Sequence, residues 1–192
     1  MTAREKAPET YLRYRRTTTL GAEAALEVIA PALERVADAY GRFGLPRLRE
    51  GLEIHMSEDQ ALFQGRTYAA CRTDGRLLLL SPDLAALPWA VLTGILGHEL
   101  GHAVDYLYPG QWAQDRDGRA RMLDVSKRGV PTGEAPLPKR WLDDWNARTD
   151  DQIERMADAI CECVMGVTIG YAGPCLLQTV GQGIRPRPAG LR

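Results

Sequence analysis

Residues 88–107 read PWAVLTGILGHELGHAVDYL. Pro88 stands at a favoured first helical position, the stretch is mostly apolar, and Tyr108-Pro109-Gly110 stops it. A helix is therefore predicted from about 88 to about 107. Within it lies His98-Glu99-Leu100-Gly101-His102. Four residues on a helix turn through about 40° beyond one revolution, so both imidazoles leave one face about one turn apart. Two ligands of a single tetrahedral zinc ion need that placement. Glu99, beside His98, can reach a water held on the open position of such an ion. Zinc brings the pKa of that water toward about 7, and a neighbouring carboxylate can take its proton during attack on a carbonyl. Gly101 leaves one side of the helix bare, which is expected to give room near the metal. The chain has three histidines and two of them stand in this motif, which weighs against a chance pair of ordinary helix histidines.

A site of this kind takes three protein ligands, and three residues can complete it. Asp105 is seven positions after His98 and so returns to the same face, but three ligands in line along one helix enclose a tetrahedral ion poorly. His55 is the remaining histidine and falls in a predicted strand. Glu154 is the strongest, with Asp158 one turn later. Thr149-Asp150-Asp151-Gln152 forms a capping box ahead of them, and Ile153, Met156, Ala157, Ile160 and Val164 make an apolar stripe that Gly166 closes. Glu154 and Asp158 flank that stripe. Residues 141–162 carry seven acidic and two basic side chains, a concentration that a bound cation would offset.

Outward from these two helices the chain sorts into a single domain at 19–182, between a flexible basic arm at 1–18 and a flexible tail at 183–192. Leu26, Ile29, Leu33, Val36 and Tyr40 recur at helical spacing, with Pro31 expected to kink or restart that helix. Residues 51–57, 66–72 and 76–81 read as short strands, the last two joined by an Asp74-Gly75 hairpin turn. The run Leu77-Leu78-Leu79-Leu80 is expected to be a buried strand whose backbone could wall a cleft. Residues 109–148 read as one long loop anchored by Trp112, Trp141 and Trp145. Residues 171–180 suggest a short final helix.

Apolar residues at 45% suffice for a core, which excludes disorder throughout. Lysine and arginine number 24 against 25 acidic residues, so no basic excess points to a nucleic-acid partner. The uncharged run at 84–97 is 14 residues, short of the roughly 20 that a membrane span requires. The opening MTAREKAPETYLRYRR has no apolar core of a secretory signal, so a cytoplasmic protein fits best, although the mature form of a secreted one would look the same. Cys71, Cys161, Cys163 and Cys175 are too few and scattered for a disulfide framework and are expected to be buried free thiols.

HELGH at 98–102 followed by Glu154-Arg155-Met156-Ala157-Asp158 resembles the gluzincin branch of zinc metallopeptidases, where HExxH on one helix is completed by a glutamate from a downstream helix. HELGHAVDYL (98–107) and ARTDDQIERMADAI (147–160) are similar to the metal-binding region of the anthrax lethal factor type of peptidase. The resemblance implies a compact zincin-like α+β domain with a small twisted sheet. It makes His98, His102 and Glu154 the zinc ligands and Glu99 the general base. Asp158 would orient a ligating histidine, and Asp105 would support the site or the fold. A protein or peptide would be the substrate. One departure concerns the oxyanion: the lethal factor type has a tyrosine shortly before its Arg-Thr, whereas Trp145, Asn146 and Ala147 precede Arg148-Thr149 here. Tyr171, Tyr108 or a loop arginine are then the candidates. The alternative expectation is a zincin-fold metalloprotein that binds a partner without hydrolysing it.

Overall fold

The sheet begins earlier in the chain than its composition suggests. In the computed structural model, which describes residues 12–14, 20–42, 51–59, 63, 68–122 and 139–165, strand β1 (Leu12–Tyr14) lies inside the segment expected to be an arm. It pairs in parallel with β2 (Leu52–Met56). β2 pairs in parallel with β4 (Leu77–Leu80), and β3 (Ala69–Cys71) runs antiparallel to β4, giving the order β1-β2-β4-β3. A strand of three residues has too few side chains to display a period, and the charges around it hide it. The predicted hairpin is present: Gly75 adopts φ 68°, its N–H donates to the Arg72 carbonyl at 2.8 Å, and the Asp74 carboxylate accepts from the Arg76 N–H at 2.9 Å.

Helix α1 (Leu20–Arg42) places Ala22, Ala25, Ile29, Leu33, Val36 and Tyr40 in the core. Pro31 does not restart it; one 23-residue helix runs through. Pro31 faces solvent, and the buried stripe on both sides of it holds the helix together across the missing hydrogen bond. Helix α2 (Trp89–Leu107) follows a short 3-10 helix, Pro82–Ala86, and Pro88 caps it rather than starting it. From Gly94 to Asp105 every residue of α2 is buried, so it is the central element, enclosed on all sides.

Residues 109–148 are not one loop. They contain an antiparallel hairpin, β5 (Trp112–Gln114) with β6 (Ala120–Met122), and helix α3 (Lys139–Asn146). Helix α4 (Asp150–Met165) then packs its stripe of Met156, Ala157 and Ile160 against α2. Its capping box forms as read: the Gln152 N–H donates to the Thr149 hydroxyl at 3.4 Å, and the Thr149 N–H donates to the Gln152 side chain at 2.8 Å. Cys161 is buried, but Cys71 is half-buried and Cys163 exposed, so the thiols are not uniformly interior. The expected helix at 171–180, the tail at 183–192, Gly166, Cys175, Tyr171 and the Trp141 side chain lie outside the described residues. The architecture is mixed α and β, and among the described residues no helix is long and apolar enough to cross a membrane.

Candidate metal centre

Helices α2 and α4 touch through glycine. A Cβ on Gly101 would press into the Ala157 carbonyl, 2.9 Å from its carbon, and one on Gly97 would lie 2.6 Å from the Cys161 sulfur. The bare side of Gly101 thus makes room for the backbone of α4 and not, as expected, for the metal. Small residues let two helices approach this closely. The close crossing delivers Glu154 and Asp158 to the two histidines.

There the three donor atoms meet. His98 Nε2 lies 3.0 Å from His102 Nε2 and 3.0 Å from a Glu154 carboxylate oxygen, and the same oxygen is 3.5 Å from His102 Nε2. Bonds of 2.0–2.1 Å in a tetrahedron put ligand atoms about 3.3 Å apart, so these separations match the edges of a zinc tetrahedron. Two ring nitrogens at 3.0 Å would repel through their lone pairs unless a cation or proton stood between them. Among the described residues, His98, His102 and Glu154 form the one set of such side chains able to hold an ion.

His98 Nδ1–H donates to Asp158 at 2.6 Å, which fixes the tautomer and aims Nε2 at the cluster. Burial works against a charged His98 ring, but its hydrogen bonds to Asp158 and Glu154 outweigh it and lift the pKa to about 10. Burial alone would raise Glu154; the two histidines hold it far below the usual carboxylate range. His102 stands edge-on to His98, with ring centroids 4.6 Å apart, and its buried Nδ1 has no hydrogen-bond partner among the described residues.

Glu99 is 3% exposed, and the two histidines and Glu154 act on it electrostatically. Burial raises its pKa, the two histidines lower it, and the Cys71 N–H of β3 donates to it. The net effect is a rise, and a buried carboxylate beside a cluster of this kind is a candidate for proton transfer. The contact also shows which strand borders the centre. β4 is paired on both sides, so the strand beside Glu99 is β3, which among the described residues pairs with β4 alone, and not the leucine run.

Asp105 is fully buried elsewhere. Its carboxylate takes Arg148 at 2.5 Å and the Trp145 indole N–H at 3.2 Å, pinning the joint between α3 and α4 to the last turns of α2. Arg148, the loop arginine beside the site, is thereby occupied. Tyr108 is a core residue, and His55 sits half-exposed on β2 opposite Leu79. Tyr106 escaped the sequence reading. It stacks on His102 with centroids 6.0 Å apart and planes 15° from parallel, and burial pushes its phenol up to about 12. Its place four residues after His102, one helical turn on, was the available signal. Comparison with protein-family models, curated proteins and solved structures finds no match.

Proposed function

We propose that this protein is a zinc-dependent peptidase of the gluzincin type, built on a zincin-like domain. The observation that carries the reading is the convergence of His98, His102 and a Glu154 from a separate helix, with Glu99 buried beside them. Two imidazoles and one carboxylate are the donor set of catalytic zinc, which leaves a fourth position open. Zinc bound there supplies a Lewis acid and a water of lowered pKa.

The chain's own residues do the rest. Asp158 keeps the His98 ring turned toward the ion. Glu99 takes a proton from the attacking water as its oxygen bonds to the carbonyl carbon, then returns a proton to the leaving amine as the C–N bond breaks. Burial lifts the pKa of Glu99 above the ordinary carboxylate value, which makes it a better proton acceptor than a solvated carboxylate. Among the described residues β3 pairs with β4 alone, and its outer side, where Glu99 takes the Cys71 N–H, would offer its remaining groups to an extended peptide backbone.

The test is a proteome-wide cleavage screen of wild type beside Glu99→Gln. Wild type is expected to generate new termini, and the variant to lose at least about 100-fold of that activity while keeping its zinc. Full activity in the variant, or zinc loss with it, contradicts the assignment. A variant that retains biological activity without cleavage would favour a partner-binding metalloprotein instead.

A further inference from the structure

The two histidines, Glu154 and Glu99 account for water activation and proton transfer but leave the oxygen of the scissile carbonyl without a donor from the protein. As water bonds to the carbonyl carbon, the π pair moves onto that oxygen, and a hydrogen-bond donor aimed there lowers the barrier. The candidates nearest in sequence are committed elsewhere. Arg148 gives both terminal nitrogens to Asp105 and its Nε–H to the Trp145 carbonyl. Tyr108 is buried in the core.

Tyr106 is placed differently. One face lies along the imidazole of His102, and the edge contact from Trp145 comes at 6.2 Å and 87°. Trp145 is itself fixed, with its N–H on Asp105 and the Arg148 guanidinium 4.9 Å above its ring. Packing therefore sets the phenol ring, and no hydroxyl bond is needed to hold it. Among the described residues none accepts a hydrogen bond from that hydroxyl, and the half-buried side chain leaves it reachable. The ring that the phenol stacks on, His102, is itself one of the three that form the cluster, so the phenol lies beside that cluster. A phenol is longer than an imidazole, and Tyr106 follows His102 by one turn on the same helix face, so a hydroxyl carried beyond the stacked ring can reach a group bound next to His102.

Building on the peptidase reading, we propose that Tyr106 is a catalytic residue whose hydroxyl hydrogen-bonds the oxyanion that develops on the scissile carbonyl. It donates a hydrogen bond and keeps its proton; Glu99 alone exchanges protons with water and amine. Trp145, with Asp105 and Arg148 behind it, positions the ring.

The experiment uses zinc-loaded full-length protein, wild type and Tyr106→Phe, a change that keeps the ring and its packing. Two probes are titrated by calorimetry: a phosphinic tripeptide analogue, whose anionic oxygens imitate the tetrahedral species, and a thiol analogue with the same side chains that reaches the metal alone. The phosphinic compound is expected to bind Tyr106→Phe about 10- to 100-fold more weakly, the worth of a hydrogen bond to a charged group. Thiol affinity and zinc content should be unchanged. Equal phosphinic affinity in both proteins overturns the role of Tyr106 and leaves the peptidase reading standing. Equal loss for both probes, or loss of zinc, makes Tyr106 structural and overturns it too. If neither probe binds wild type, the peptidase reading falls and this inference with it.

Discussion

Replacing Gly101 with alanine tests how the candidate metal centre is assembled. The new Cβ would stand 2.9 Å from the Ala157 carbonyl carbon, whereas ordinary contacts begin at 3.4 Å, so α4 must recede by about 0.5 Å there and further at the oxygen. The obstacle is backbone, and no rotamer change relieves it. Glu154 and Asp158 sit within one turn of Ala157 and move with it. Metal sites tolerate about 0.2 Å, so zinc affinity should fall about 10- to 100-fold, as for loss of a supporting contact. Overpacking costs about 1–3 kcal/mol, and the better helix propensity of alanine offsets about 1 kcal/mol, leaving a net loss of about 0–2 kcal/mol. Melting in excess chelator reads the stability change, and competition with a chromophoric chelator reads the affinity. Gly97→Ala supplies the contrast, because its obstacle is the Cys161 sulfur, 2.6 Å away, which Cys161→Ala removes. The double variant should recover affinity, and Gly101→Ala should have no such partner. Zinc affinity within threefold of wild type in Gly101→Ala would refute this account of the helix crossing.

Asp105 and Asp158 should separate cleanly. Asp105→Asn breaks a buried ion pair with Arg148 and should cost about 3 kcal/mol, a lowering of Tm by roughly 6–12 °C, with zinc affinity little changed. Asp158→Asn should lower zinc affinity about 10- to 100-fold; the reverse pattern in paired melts and chelator titrations would interchange their roles. The metal-free protein should also lose stability as pH rises. His98 has a folded pKa of about 10 against 6.5 unfolded, so its contribution is complete below 6.5 and fades toward 10. Glu154, depressed from 4.5, contributes above that value and loses its contribution in acid. Melts in chelator at pH 6, 8 and 10 should fall in that order, and a flat or rising series in wild type contradicts the charged cluster.

The centre was legible where local chemistry is strong. HELGH, the capping box at Thr149 and the Asp74-Gly75 turn each carry a distinctive residue at a fixed offset, and each forms as read. What escaped depends on tertiary approach. Gly101 reads as empty space until α4 is known to fill it, and Asp105 shares a helix face with the histidines yet is claimed by Arg148 from beyond α3. The three-residue strands β1, β5 and β6 are too short for a period to show. Pro31 suggests a restart that the buried stripe of α1 overrides. Tyr106 looks like an ordinary aromatic until His102 and Trp145 are seen on its two sides.

Zinc content per chain tests the central claim most directly. Protein grown with zinc and purified without chelator should hold about one zinc per chain by elemental analysis, and His98→Ala, His102→Ala and Glu154→Ala should each lose most of it. Metal-free wild type, or a Glu154→Ala protein that keeps its full complement, would contradict the site formed where α2 meets α4.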